Sequence, residues 1–305
     1  MKRTAKKSLE PSRSYRSIDR PSPPLVASFA PETLPLSSLY LHLSELRRQT
    51  PNPDLMEKYI ARSVELAKEM TPREQVAIFH LLGSKNEFFL NSFYNNLKRS
   101  SFIKSLSPMD LVIALNTFAK EAKSVCKTDL VEPGSGKKNS LIAKLLGEIP
   151  MHIPKFENHH LAQVFHSLTF LPISNLSNSI VSSLVEELVS HRSNLVLFNP
   201  QSILMISTAM SRLNVKSVPL WTIVLARSTQ IRRDEMQANW PDVLLTNVSM
   251  VDGIVCDLEF LTAMTKEVLF QYKTKMINTG RVDKAATALL KLGASNSLIA
   301  MLRNI

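Results

Sequence analysis

Three histidines, His159, His160 and His166, stand close together in the chain, and histidines at helical spacing are a common way to hold a transition metal. Here the rest of such a motif is missing. No HExxH pattern or cysteine pair accompanies them, and the intervening Leu161, Val164 and Phe165 read as the buried stripe of a helix. The neighbouring carboxylates Glu186 and Glu187 form no acid–base pair by adjacency, because consecutive side chains on a helix point in different directions. They read as a charged helical surface. The stretch Gly134-Ser135-Gly136-Lys137-Lys138 has the residue types of a phosphate cradle, but Val131 stands where a P-loop needs its first glycine and Lys138 replaces the Ser/Thr after Lys137. S-x-x-K matches are common in any chain rich in serine and lysine, and they nominate no nucleophile without a surrounding site. The sequence therefore assigns no catalytic, cofactor-binding or metal-ligating residue, and the protein is read as a non-enzyme with no cofactor.

Charge points elsewhere. Over 305 residues, 37 Lys/Arg against 26 Asp/Glu give a net +11, which suits an anionic partner without saying which. The candidates for contacting phosphates are the basic residues near expected turns and helix ends: Lys98, Arg99, Lys104, Lys137, Lys138, Lys155, Arg192, Arg212, Lys216, Arg232 and Arg233. The competing reading for each is ordinary solvation, or capping of a helix C-terminus. Aromatic rings could stack on bases, yet Phe88, Phe89, Phe93, Phe165 and Phe170 accompany apolar stripes and are expected in the core. Tyr94 and Trp221 could contribute only if their rings lie outside the packed seam.

What must position these residues is a series of helices. From residue 36 onward apolar residues recur at three- and four-residue intervals, starting with Leu36, Leu39, Leu43 and Leu46, and a second helix opens at Asp54 and runs to Glu69. A start signal then recurs. Thr71-Pro72 precedes Val76, Ile78, Phe79 and Leu82; Ser107-Pro108 precedes Val112, Ala114, Leu115 and Phe118. Glu157-Asn158 leads into Leu161, Val164, Phe165 and Leu168, and Asn199-Pro200 into Ile203, Ile206, Met210 and Leu213. The successive offsets of 36, 50 and 42 residues exclude a strict period but allow structural repeats with insertions. Partner helices fit Phe88 to Leu97, Leu176 to Leu188, Leu220 to Ala226 and Leu261 to Leu269. Gly280 introduces a last unit, with a turn at LGASNS before Leu298, Ile299 and Leu302, that reads as a terminal cap. The fold expected is all-α, with stacked helical hairpins forming an irregular α-solenoid over residues 36–305 and a loop insertion around 124–140.

Residues 1–35 are different. Seven Lys/Arg, three Asp/Glu and six prolines mark an extended basic arm, and Pro11, Pro21, Pro23 and Pro24 confine any import helix to the first ten residues or so. No apolar run approaches the roughly 20 residues of a membrane-spanning helix. The two cysteines, Cys126 and Cys256, are expected as free thiols.

The segments FHLL, LNTF and FHSL, centred on Phe79, Leu115 and Phe165, together with ISTAMSRL (206–213) and ALLKLG (288–293), resemble divergent heptatricopeptide or octatricopeptide-type helical-repeat proteins of protist mitochondria. The resemblance spans residues 71–305 and is strongest through Leu213. It places Val76/Phe79/Leu82, Val112/Leu115/Phe118 and Ala162/Phe165/Leu168 on inner packing faces. It implies a mitochondrial matrix protein that binds RNA, as a component of a mitochondrial ribosome contacting ribosomal RNA and mitochondrial ribosomal proteins. A free RNA-stability or processing factor acting on organellar transcripts, and a helical scaffold that binds no RNA, are the alternatives.

Overall fold

A computed structural model describes residues 30–46, 53–82, 100–121, 141–171, 175–191, 198–236 and 238–304. The expected helix around Phe88 to Leu97, the insertion around 124–140, Tyr94 and Cys126 lie outside them. The described residues form an all-α, irregular α-solenoid, with helices α1 (Leu36–Leu46), α2 (Pro53–Leu66), α3 (Pro72–Leu82), α4 (Ser100–Lys104), α5 (Pro108–Glu121), α6 (Leu141–His152) and α7 (Asn158–Leu168). These are followed by α8 (Asn175–Ser190), α9 (Pro200–Arg212), α10 (Val218–Gln230), α11 (Trp240–Ser249), α12 (Leu258–Lys273), α13 (Thr279–Lys291) and α14 (Asn296–Arg303).

Three of the four anticipated start signals work as caps, while Glu157 precedes α7 without a side-chain cap bond. Thr71 and Glu74 form a capping box: the Thr71 N–H donates to Glu74 Oε2 at 2.8 Å, and the Glu74 N–H returns to Thr71 Oγ1 at 3.3 Å. At the head of α5 the Asp110 N–H donates to Ser107 Oγ at 3.2 Å, and the Ser107 hydroxyl donates to Asp110 Oδ2. Asn199 Oδ1 accepts from the Ser202 N–H at 2.8 Å to open α9. Asp257 and Asn278 do the same for α12 and α13. Helix α11, in contrast, was not expected from the sequence. Its leading Asn239 is left-handed (φ 69°) and makes no side-chain cap. Contacts from other helices fix that start: Gln271 Oε1 accepts from the Asn239 N–H at 3.1 Å, and Trp240 Nε1 donates to the Pro200 carbonyl at 2.8 Å.

Helix ends follow one pattern as well. Asn214, Lys275 and Gly293 adopt left-handed conformations just past α9, α12 and α13. The next N–H in each case, of Val215, Met276 and Ala294, turns back to a carbonyl five residues earlier, a Schellman closure that satisfies the helix terminus.

The odd-numbered helices α1, α3, α5, α7, α9, α11 and α13 lie side by side in chain order, and the even-numbered α4, α6, α8, α10, α12 and α14 form a second row behind them. The odd row is the more closely packed. Its interior is built from the residues read as inner faces: Phe79, Leu115, Ala162 and Phe165 are fully buried, with Val76, Leu82, Val112, Phe118 and Leu168 almost so. The Phe79 and Phe118 rings meet across α3 and α5 at 4.5 Å. Trp221, undecided from sequence, is 1% exposed and donates its Nε1 to the Val215 carbonyl at 3.2 Å, so it belongs to the seam and offers no base platform.

One buried ion pair carries a pH prediction. Asp242 packs beneath α13, with Arg281 Nη1 3.0 Å from its Oδ2, while its Oδ1 has no hydrogen-bond partner. Burial outweighs Arg281 and pushes the carboxyl above its ordinary 3.8. The native state therefore takes up a proton before the unfolded chain does as pH falls. The destabilisation from this group is complete above its native pKa and shrinks as pH drops toward 3.8. Asp242→Asn is expected to lose none of the neutral-pH stability and to flatten the mildly acidic part of a denaturation-versus-pH curve. A marked loss at pH 7 would mean that the Arg281 pair dominates.

Candidate nucleic-acid interface

A stack of hairpins has two edges, one made by turns from odd to even helices and the other by turns from even to odd. Six of the eleven candidate cations fall on described residues, and they are divided between these edges. Lys104 ends α4, Lys155 lies between α6 and α7, and Arg232 and Arg233 lie between α10 and α11, all at even-to-odd turns. Arg212 ends α9 and Lys216 follows it, at an odd-to-even turn. Lys98, Arg99, Lys137, Lys138 and Arg192 lie outside the described residues. The cations singled out from sequence thus do not assemble into a single site.

Their pairing differs too. Arg232 is forked onto Asp234 and lies 3.8 Å from Glu235 Oε1. Arg233 Nε donates to Glu267 Oε2 at 2.8 Å, and its guanidinium lies 4.0 Å from the Phe270 ring centre. Because the Glu267 side chain is only 7% exposed, Arg233 is a clamp holding the α10–α11 turn to α12. Among the described residues no carboxylate comes within 4 Å of Lys104, Lys155, Arg212 or Lys216, and all four are exposed. Those cations keep their charge for a partner.

On the odd-to-even edge the chain's register places further groups beside Arg212. Thirteen residues after the start signals of α5, α7 and α9 stand Lys120 near the end of α5, Phe170 just past α7 and Arg212 at the end of α9. Arg212 Cζ lies 5.8 Å from the Phe170 ring centre, and His166 meets the same ring edge-on at 5.1 Å. Phe170, expected in the core, is half-buried at this edge. Burial first, then the charges of Lys120 and Arg212, push the His166 imidazole down to about 4, so it is neutral at pH 7. Sequence reasoning found Arg212 and missed Lys120. Counting from the helix starts would have found both.

Four residues earlier along these helices lies a polar seam. His80 Nδ1 and Thr117 Oγ1 are 3.0 Å apart between α3 and α5. Ser167 Oγ donates to Asn116 Oδ1 between α7 and α5 at 3.4 Å, and Asn247 Nδ2 donates to Ser207 and Thr208 hydroxyls between α11 and α9 at 3.1 and 3.0 Å. Burial makes such bonds costly to leave unmade, so this seam fixes the register of neighbouring odd helices.

The other groups with chemical potential are dispersed. The His159 and His160 rings lie 3.8 Å apart, with Glu157 3.4 Å from His159 Nδ1, and Glu187 reaches His191 at 3.2 Å. Among the described residues no three His, Cys, Asp or Glu side chains converge as metal ligands. Cys256 is a free thiol whose pKa burial, helped by Asp257, pushes up to about 11, which leaves it protonated and a poor nucleophile at neutral pH. No described helix is long and apolar enough to cross a membrane.

The described residues define a class: an α-solenoid of helical hairpins with exposed cations at several of its turns. No protein-family model matches the chain, and no curated protein matches it in sequence.

Proposed function

We propose that this chain is an RNA-associated structural component of a mitochondrial ribosome, acting in the matrix by holding ribosomal RNA and neighbouring ribosomal proteins in place without catalysing a reaction. The observation that carries this reading is the set of exposed cations at the turns of a packed helical stack that, among the described residues, meet no carboxylate, within a chain of net charge +11. Rigid elements supply position, and phosphate contacts supply affinity without sequence preference. The mitochondrial and ribosomal parts of the proposal come from the resemblance in FHLL, LNTF, FHSL, ISTAMSRL and ALLKLG.

Sedimentation of mitochondrial extracts combined with RNA crosslinking tests it. The chain is expected in a ribosomal particle, crosslinked to ribosomal RNA. Crosslinks to a few transcripts outside ribosomes would make it a stability or processing factor. Recovery in an assembly with no RNA crosslink would make it a protein scaffold.

A further inference from the structure

We propose that Lys120, His166 and Arg212, with Phe170 as floor, form a phosphate-binding subsite that takes the backbone of a single-stranded RNA segment at the odd-to-even edge. The proposal rests on the RNA reading above and goes further, naming the rim that the strand follows and the groups that grip it.

Geometry is the first support. Helix α7 lies between α5 and α9, so Lys120 and Arg212 flank His166 and Phe170 from either side. Phe170 supports the Arg212 guanidinium at 5.8 Å, which limits its rotamer freedom while leaving its N–H fork for a ligand. That fork matches two phosphate oxygens, and Lys120 adds a second positive charge.

The electrostatics of His166 are the second. Its imidazole is depressed by burial first and then by Lys120 and Arg212, two cations that reach it from the helices on either side. At pH 7 the neutral ring can donate one N–H to a phosphate oxygen. A strand phosphate settling between Lys120 and Arg212 offsets their share of the depression, while burial, the larger cause, remains. Binding therefore raises the imidazole only part of the way toward its ordinary 6.5. The exposed Arg212 guanidinium favours RNA over an acidic peptide, because a base beside the bound phosphate can stack on its plane.

Full-length protein and a fluorescent oligouridylate provide the test. Lys120→Ser combined with Arg212→Ser is expected to weaken binding by roughly tenfold or more. It should also make the salt slope shallower by about 1.4, at about 0.7 for each lost phosphate contact with a single strand. The control, Lys266→Ser with Lys284→Ser, two exposed lysines in the middle of α12 and α13 and away from the turns, is expected to leave both within experimental scatter. Wild-type affinity should rise as the pH is lowered toward about 4, where the bound state takes up the proton on His166 before the free state does, and His166→Gln should remove that rise. The charged groups facing this imidazole are Lys120 from α5 and Arg212 from α9.

Equal weakening by both pairs would overturn the subsite in favour of diffuse attraction. Competition by polyglutamate as strong as by RNA would overturn it in favour of an acidic protein. If the double variant lost thermal stability but bound RNA as wild type does, Lys120 and Arg212 would be helix-terminal charges alone. In that last case the RNA reading survives; if the wild type fails to bind RNA, both fall.

Discussion

Trp240→Ala is expected to cost about 4 kcal/mol and to melt the C-terminal part of the stack ahead of the rest. The indole is 1% exposed at the head of α11, and its Nε1 is tied to the Pro200 carbonyl at the head of α9. Truncation leaves a cavity and removes the bond to the Pro200 carbonyl together. The effect should stay local, because each hairpin of a solenoid contacts little beyond its neighbours. Native-state hydrogen exchange would show it, with protection lost through α11 to α14 and retained in α3 to α7. Uniform loss across the chain would mean that the helices fold as one cooperative body rather than as a linear stack.

Arg233→Ala is expected to remove about 2 kcal/mol of stability and to leave RNA affinity unchanged. Removing one partner of a fully buried ion pair costs about 3–5 kcal/mol, because the other charge stays buried and uncompensated. The exposed side of this pair lowers that figure: Glu267 is 7% exposed, but Arg233 is 55% exposed and screened by water. Loss of the guanidinium's packing on Phe270 adds to the effect. Chemical denaturation and RNA titration of one protein preparation check both halves. A variant as stable as wild type but weakened for RNA would return Arg233 to the phosphate-contacting set.

These two residues show where sequence reading works and where it stops. Thr71-Pro72, Ser107-Pro108 and Asn199-Pro200 announce helices because each cap bonds within three residues of itself, and such chemistry is written locally. Helix α11 escaped because its start depends on Gln271 and Pro200, 32 and 40 residues from their partners. A local clue was present, since Asn239 follows Asn199 by 40 residues and Pro241 stands near the start of the helix.

The candidate cations divide in the same way. That Arg232 would be paired was legible from Asp234 and Glu235 beside it, whereas the carboxylate that engages Arg233 lies 34 residues away. Phe170 was assigned to the core from its apolar company. Its place at the rim follows from its position past Leu168, the last residue of α7, where helical spacing no longer sets which side chains face the core.

The most direct test of the central claim is the salt dependence of RNA binding by the purified full-length chain. Lys120, Arg212 and Lys216 alone give a slope of log affinity on log salt of about −2 or steeper, so raising salt fourfold should weaken binding by roughly twentyfold. Binding that ignores salt, or no binding at low salt, would contradict an account in which a helical stack holds RNA by its phosphates.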